Sequence, residues 1–190
     1  VNAGQTGYFR TQYADADLMR IRESLGQIAE VDRRGLRNDI AAPSKAGRIP
    51  PTSYLDLAAA VPVDSHPVIL LQLTDEFAVI DRLLTGSAEQ AAWRSYARDR
   101  LRPVFDRVGW SPGEGEIQAV ALLRESLIET LGRLEDPVVL AGARERFARA
   151  PADSAAMPAS IHDAVLVVVA KHADPATWGE IRSRAKSAQD

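Results

Sequence analysis

The apolar pattern along the chain changes its period at Tyr13. Before that residue, Gly4 and Gly7 bound a turn, and the residues that follow, Tyr8 and Phe9 among them, are aromatic and β-branched types that favour strands. No other segment is a confident strand, and a lone strand cannot satisfy its own backbone hydrogen bonds. Gly7–Tyr13 therefore predicts one strand of a sheet whose other strands lie outside this sequence. Val1 stands at the start in place of Met, which also leads us to expect a piece cut from a longer protein.

From residue 15 onward, apolar residues recur every three or four positions, which is the spacing of amphipathic helices. The helical seams include Leu18, Ile21, Leu25 and Ile28, then Leu70, Leu73, Phe77, Ile80 and Leu84, and later Val120, Leu123, Leu127, Leu131 and Leu134. Short segments rich in Gly, Pro, Ser and Asp separate the seams and mark helix ends. The pattern predicts seven to nine helices in residues 15–190 and no central sheet.

Two of the predicted helices begin with the same signature. Asp136-Pro137 and Asp174-Pro175 each place Asp at the N-cap and Pro at the first helical position, and they lie 38 residues apart. Helical-hairpin repeats of the HEAT type have periods of about 40 residues. We therefore predict an all-α fold, an antiparallel helical-hairpin array of the HEAT-like or α-solenoid kind, preceded by the single N-terminal β-strand.

One segment fits two kinds of structure. Ala164–Ala170 is rich in β-branched residues, so it could be a buried strand or a buried helix. We favour the helix because the neighbouring segments are helical and Ser160 can cap it. Asp32 is likewise predicted to cap an earlier helix that ends near Pro43 or Gly47.

The composition excludes several classes of function. A net charge of −3 with scattered cations argues against a dedicated nucleic-acid surface. No apolar run approaches the ~20 residues of a membrane-spanning helix. The chain has no Cys, which excludes a disulfide framework and a thiol nucleophile but does not fix the compartment. Only three of the 23 basic residues are Lys, which indicates a GC-rich bacterial genome.

The sequence contains no recognisable catalytic motif. Its three histidines, His66, His162 and His172, lack the His-Glu-x-x-His spacing of a zinc site, so we interpret them as surface or capping residues. A Gly-x-Ser-x-Gly nucleophile elbow and a phosphate-binding loop are also absent. We therefore predict no catalytic residue, no metal ligand and no cofactor in this chain.

Several short motifs follow one another in a fixed order. They are Asn2-x-x-x-x-Gly7-Tyr8-x-Arg10-x-x-Tyr13, Asp32-Arg33-x-x-Leu36-x-x-Asp39 with Gly47 after it, Gly109-Trp110 at the end of a helix, and Leu122-Leu123-Arg124 with Phe147 after it. In order and spacing they resemble the C-terminal part of the zinc aminopeptidases of the alanyl-aminopeptidase family, the gluzincins. Phe9, Thr11 and Pro43 depart from the family's pattern.

The resemblance implies an organisation and a role. Residues 1–14 would be the terminal strand and linker of a β-sandwich, and residues 15–190 the C-terminal helical domain. In the family this domain packs on the catalytic domain and encloses a cavity that limits which peptides reach the zinc. The zinc would lie in the missing catalytic domain, and the matching arginine, Arg124, would pair with a peptide's carboxyl end. The alternative for Arg124 is a surface arginine or one that binds helix carbonyls.

A second class of function stays open. The hairpin rhythm and the missing catalytic motifs also fit a stand-alone helical-repeat scaffold that binds a protein or peptide. The reading frame upstream of Val1 discriminates the two, because a His-Glu-x-x-His segment there would indicate the peptidase. The sequence fixes neither the peptide preference nor the oligomeric state.

Overall fold

A computed structural model describes residues 2–187 of the chain, and within these residues the regular structure is entirely helical. Nine α-helices lie there: α1 Asp15–Ser24, α2 Glu30–Lys45, α3 Pro51–Ala60, α4 Pro67–Leu83, α5 Gln90–Val108, α6 Gln118–Arg133, α7 Pro137–Arg149, α8 Ala159–Lys171 and α9 Pro175–Ser187. The all-α prediction is confirmed. Ala164–Ala170 lies within α8, so the helical interpretation of that segment is also confirmed.

The predicted N-terminal strand is not formed among the described residues. Residues 8–14 have no regular structure, and a ladder requires a neighbouring strand that the described part of the chain does not supply. The turn before the segment is ordered by Asn2, whose side chain accepts a hydrogen bond from Gly7 N at 2.7 Å and donates to Gly7 O at 3.0 Å. Tyr8 and Phe9 are exposed.

The chain divides into two compact units, at Ile69 and Leu70. The first unit contains α1, α2 and α3, and α3 packs on both other helices. Its core is formed by apolar side chains that are at most 8% exposed: Leu25, Leu36, Ile40, Leu57, Ala58 and Val61.

Helix α6 is the centre of the second unit. It packs on α5, α7 and α8, and Leu127, Ile128 and Leu131 on its inner faces are fully buried. From α4, Phe77 packs edge to face on Trp93 of α5, with ring centroids 5.0 Å apart. The close approach of α6 to α8 depends on Gly132, because a Cβ there would lie 2.4 Å from Val168.

Two helices of this unit, α4 and α6, run in the same direction. Near their middles, Ser126 of α6 donates to Asp75 of α4 at 2.8 Å. At their carboxyl ends, Arg94 of α5 binds both Asp81 of α4 and Glu135, two residues beyond α6. Residues at equivalent positions along α4 and α6 therefore lie side by side. The helix that connects them in sequence, α5, runs in the opposite direction.

The predicted helix caps have mixed outcomes. Asp136 caps α7 as expected, because its Oδ1 atom accepts from the backbone N of Val138 and Val139 at 3.0 and 2.9 Å. The predicted caps Asp32 and Ser160 are wrong, since α2 begins two residues before Asp32 and α8 begins one residue before Ser160. In the part of the chain that is described, no helix combines the length and apolar character needed to cross a membrane.

Candidate functional site

Arg124 lies in the middle of α6, and its side chain is 0% exposed. Its Nη1 atom donates to Glu116 Oε1 at 2.6 Å and its Nη2 atom donates to Glu116 Oε2, so the guanidinium and the carboxylate form a bidentate pair. Its Nε atom donates to the carbonyl oxygen of Gly109 at 3.1 Å. A peptide carboxylate would have to replace Glu116 in order to bind here, and the role of Arg124 toward substrate stays a prediction.

Glu116 closes the loop between α5 and α6. Its carboxylate accepts a hydrogen bond from the backbone N of Gly113 at 3.2 Å in addition to those from Arg124. The hydrogen bond from Arg124 is the main cause that lowers the pKa of Glu116 below its ordinary value of 4.5. Sequence reasoning missed Glu116; the available signal was an acid eight residues before a buried arginine, on the loop that precedes its helix.

The structure brings together motifs that are distant in the sequence. Trp110, directly after Gly109, packs edge to face on Phe105 with ring centroids 5.2 Å apart. The guanidinium of Arg146 lies 4.1 Å from the centroid of the Trp110 ring. A Cβ at Gly142 would lie 2.6 Å from the indole, so only glycine leaves room for it. The Gly109-Trp110 and Leu122-Leu123-Arg124 motifs thus meet at one structural corner.

Three arginines one turn apart on α5 hold the turn that follows α6. Their partners are three consecutive residues: Arg98 donates to the carbonyl of Leu134 at 2.8 Å, Arg94 donates to Glu135 at 2.6 Å, and Arg102 pairs with Asp136. Glu135 has a φ of 60°, so this turn includes a residue in the left-handed region. These contacts from Arg94, Arg98 and Arg102 hold the turn between the end of α6 and the start of α7.

An open groove lies between the parallel helices α4 and α6 and encloses about 370 Å³. Leu71 and Leu122 line it at the amino-terminal end of the two helices, and Val79 lines its middle. Val79 and Leu122 are 40% and 46% exposed, so the groove presents apolar surface to solvent. The groove is more polar than most small-molecule pockets, because charged and hydroxyl side chains outnumber the apolar ones in its lining.

The charged side chains of the groove are sorted by sign along its length. Asp75, Glu125 and Glu129 lie in its middle, while Arg82 and Arg133 lie at the carboxyl end of the helices. Burial raises the pKa of Glu129, and the like charge of Glu125 raises it further. The groove therefore has an acidic part and a basic part.

The three histidines have different surroundings and do not converge. The Nδ1 atom of His162 lies 3.0 Å from Asp163 Oδ1, and the Nε2 atom of His172 lies 3.0 Å from the carbonyl oxygen of Gly132. The Nδ1 atom of His66 accepts a hydrogen bond from the backbone N of Val68 at 3.3 Å. Within residues 2–187, no group of three potential metal-ligating side chains lies close enough together to hold an ion.

The N-terminal motif contacts the Asp32–Asp39 motif within the first unit. Gly4 N donates to Asp32 at 2.6 Å, and the hydroxyl of Tyr13 donates to Asp39 at 3.4 Å. Burial is the main cause that raises the pKa of Tyr13 above 10.0. The side chain of Gln5 lies against Gly35 so closely that a Cβ there would come within 1.9 Å. These contacts place the segment before α1 on the surface of α2.

The chain is similar to known aminopeptidases over part of their length. It is 28% identical to Aminopeptidase M1-A of Oryza sativa over 151 residues, which cover 77% of this chain and 17% of that protein. It is 26% identical to Aminopeptidase 2 of Candida albicans over 186 residues, which cover 95% of this chain and 20% of that protein. The chain thus spans about a fifth or less of the length of these relatives.

The whole sequence also matches a family model. Residues 1–190 match the model of the ERAP1-like C-terminal domain. The match covers both compact units and every motif on which the aminopeptidase resemblance was recognised, including the corner formed by Arg124, Gly109 and Trp110. The chain belongs to the ERAP1-like C-terminal domain family.

Proposed function

We propose that this chain is the non-catalytic helical domain of a zinc aminopeptidase and that it limits which peptides reach the zinc. One observation carries the proposal: the chain matches the C-terminal domain family over residues 1–190, while its aminopeptidase relatives are at least about five times as long as the part it covers. The zinc, its ligands and the general base would then lie in the catalytic domain of the parent protein, on which this domain packs.

The groove between α4 and α6 is the surface that would contact a peptide. It offers exposed apolar side chains such as Val79 and Leu122 beside charges of both signs, and a peptide carries all three kinds of group. The parallel course of α4 and α6, with α5 returning between them, supports a HEAT-like hairpin array in this unit. Such arrays present extended concave surfaces to ligands.

The segment Gly7–Tyr13 would complete a sheet of the preceding domain. Its aromatic side chains Tyr8 and Phe9 are 109% and 55% exposed here, which is the surface a neighbouring domain would cover. An extended segment with unused backbone donors and acceptors can add to a sheet edge.

The test uses the full-length protein that carries this chain. Zinc content and aminopeptidase turnover are measured first, and then kcat/KM for a ten-residue peptide is divided by kcat/KM for a single-residue reporter. Filling the groove with Val79→Trp or Leu122→Trp should lower this ratio on the order of tenfold, because a lost binding interaction acts on the long substrate alone. Val138→Trp, at an exposed position on α7, is the matched control. A full-length protein without zinc-dependent turnover, or an unchanged ratio, contradicts the proposal.

Arg124 has two proposed roles that one experiment separates. If it binds a peptide's carboxyl end, Glu116→Gln weakens the internal partner and should raise the preference for free-acid peptides over their amides. If it acts structurally, the same variant lowers stability and changes turnover of both substrates alike. The described contacts of Arg124 with Glu116 and Gly109 support the structural role.

A further inference from the structure

We propose that the side-chain amine of Lys171 takes up CO2 as a carbamate and that the guanidinium of Arg133 binds the carbamate anion. Lys171 is the last residue of α8, and Arg133 is the last residue of α6, the helix on which α8 packs. The inference concerns a covalent modification of this chain and goes beyond the proposed function.

The packing of α8 on α6 brings Lys171 to Arg133. Val168 of α8 lies so close to Gly132 that a Cβ there would come within 2.4 Å of it. One turn further along α8, the Nε2 atom of His172 lies 3.0 Å from the carbonyl oxygen of Gly132. Lys171 directly precedes His172, and Arg133 directly follows Gly132, so the two cations flank this contact. Arg133 is accordingly the charged group that acts most strongly on Lys171.

Arg133 has a guanidinium that can accept a new anionic partner. Its side chain is partly buried, and within residues 2–187 it forms neither a side-chain hydrogen bond nor an ion pair. Arg94, the other arginine that acts on Lys171, is already engaged with Asp81 and Glu135. An anion formed at Lys171 would therefore bind Arg133 without displacing an internal partner.

The surroundings of Lys171 favour the neutral form of its amine. Burial lowers the pKa of this amine below the ordinary value of 10.5, and the like charges of Arg133 and Arg94 lower it further. The carboxylates of Asp81 and Glu135 oppose the shift but are outweighed. An unprotonated amine has the lone pair that attacks CO2, so a lysine next to other cations is a better nucleophile at neutral pH than an ordinary lysine.

The reaction needs CO2 and no other reagent. The lone pair of the amine forms a C–N bond to the carbon of CO2, one C–O π pair moves onto oxygen, and the nitrogen releases its proton to solvent. The product is a carbamate anion with two carboxylate-like oxygens. A guanidinium binds such a group through two parallel charge-assisted hydrogen bonds. The repulsion between Lys171 and Arg133 is thereby replaced by an attraction.

The unpartnered guanidinium favours CO2 over other reagents that an activated amine accepts. Simple acylation gives a neutral amide, and condensation with an aldehyde gives an imine, so neither product offers Arg133 an anion. The Lys171 side chain is exposed, and dissolved CO2 can therefore reach the amine. The two observations, an activated amine and an unpartnered guanidinium beside it, together suit a carbamate.

The experiment traps carbamates on the 190-residue chain in buffer equilibrated with CO2 at pH 7. A trialkyloxonium salt esterifies each carbamate, and mass spectrometry of proteolytic peptides then gives the occupancy at each lysine. We expect the occupancy at Lys171 to exceed severalfold that at Lys186, an exposed lysine in the last turn of α9. Carbon-13 NMR with labelled bicarbonate should show a carbamate resonance that is lost in Lys171→Arg.

Variants at Arg133 test its role as the partner of the carbamate. Arg133→Gln should lower the occupancy at Lys171 about tenfold, because it removes a charge-assisted interaction with the product and a cation that disfavours the ammonium form. Arg133→Lys keeps the charge but loses the bidentate geometry, so its occupancy should be intermediate. Arg107→Gln, at an exposed position on α5, is the matched control and should leave the occupancy unchanged. Circular dichroism establishes that every variant is folded.

Several outcomes overturn the proposal. They are no trapped carbamate at Lys171, equal occupancy at Lys171 and Lys186, or the same occupancy in Arg133→Gln as in the unsubstituted chain. A carbamate resonance that persists in full in Lys171→Arg also overturns it, because the carbamate would then lie on another amine. The proposed function is tested separately, by the turnover ratio of the full-length protein.

Discussion

The carboxylate of Asp136 serves Arg102 and a helix end at the same time. Its Oδ1 atom caps α7 through the backbone N of Val138 and Val139, and Arg102 of α5 pairs with the same oxygen. The Asp136 side chain is 5% exposed and that of Arg102 is 22% exposed. The second Asp-Pro helix start differs, because Asp174 caps α9 through Thr177 at an exposed position.

The two Asp-Pro starts should therefore differ in their contribution to stability. Asp136→Ala removes a cap and the near partner of a partly buried guanidinium, which keeps only Asp106 at 4.0 Å from its Nε atom, so the free energy of unfolding should fall by about 2–4 kcal/mol. Asp174→Ala removes an exposed cap alone and should lower the free energy of unfolding by less than Asp136→Ala does. Urea unfolding of both variants measures the difference. Equal losses would mean that the pair with Arg102 adds nothing to the cap.

Gly142 and Gly179 make a matched pair of helical glycines. Gly142→Ala should lower stability by about 1–3 kcal/mol, because the new Cβ would lie 2.6 Å from the Trp110 indole. Gly179→Ala in α9 has nothing within 4 Å and should raise stability by about 0.5–1 kcal/mol through helix propensity. Thermal unfolding monitored by circular dichroism gives both signs, and a stable Gly142→Ala variant would show that Trp110 can move aside.

The pair between Glu116 and Arg124 predicts a dependence of stability on pH. The pKa of Glu116 is lowered below 4.5 in the folded state, chiefly by the hydrogen bond from Arg124, so its contribution is complete above pH 4.5 and is lost as the pH falls through the lowered pKa. Glu116→Gln should therefore be less stable than the parent at pH 7, and the gap should narrow below pH 4.5. Urea midpoints at pH 7, 5 and 3.5 measure this, and a gap that stays constant would contradict it.

Much of the helical core could be predicted from apolar spacing alone. Leu70, Leu73 and Phe77 form one such seam, and all three are at most 3% exposed. The spacing works because one buried face of a helix dictates a 3.6-residue period whatever the neighbour is. The N-terminal strand fails for the opposite reason, since its structure depends on a partner that no local pattern of residues 8–13 supplies.

The groove could not be predicted because it depends on the register between two helices. Asp75 and Ser126 lie 51 residues apart in the sequence and meet only because α4 and α6 run side by side. A helical pattern identifies the outer face of each helix but not which outer faces adjoin. Similarly, the motif order singled out Arg124 but not Glu116, because nothing local predicts that the α5–α6 loop folds back onto α6.

The N-terminal segment should contribute little to the stability of this chain. Its described contacts with α2 are few: Gly4 with Asp32, Tyr13 with Asp39, and the side chain of Gln5 against Gly35. Deleting residues 1–13 should leave the helical circular dichroism signal nearly unchanged and cost no more than about 2 kcal/mol, which is the sum of two such hydrogen bonds. Tyr13→Phe isolates the hydroxyl and should account for about half of the loss. A loss of several kcal/mol would show that the segment is integral to the first unit.

Glu129 predicts the opposite pH dependence to Glu116. Burial and the like charge of Glu125 raise its folded pKa above 4.5, so between pH 4.5 and that raised value the folded state binds more protons than the unfolded state. The stabilisation that the protonated Glu129 carboxyl contributes to the folded state is complete below pH 4.5 and is lost as the pH rises through the raised pKa. Glu129→Gln should therefore gain stability relative to the parent as the pH rises, with no gain below pH 4.5. The exposed Glu114→Gln is the control for a change of net charge. Urea midpoints at pH 4 and pH 7 measure the effect. A Glu129→Gln variant that is less stable than the parent at pH 7 would mean that neighbouring cations such as Arg133 outweigh burial and the like charges around Glu129.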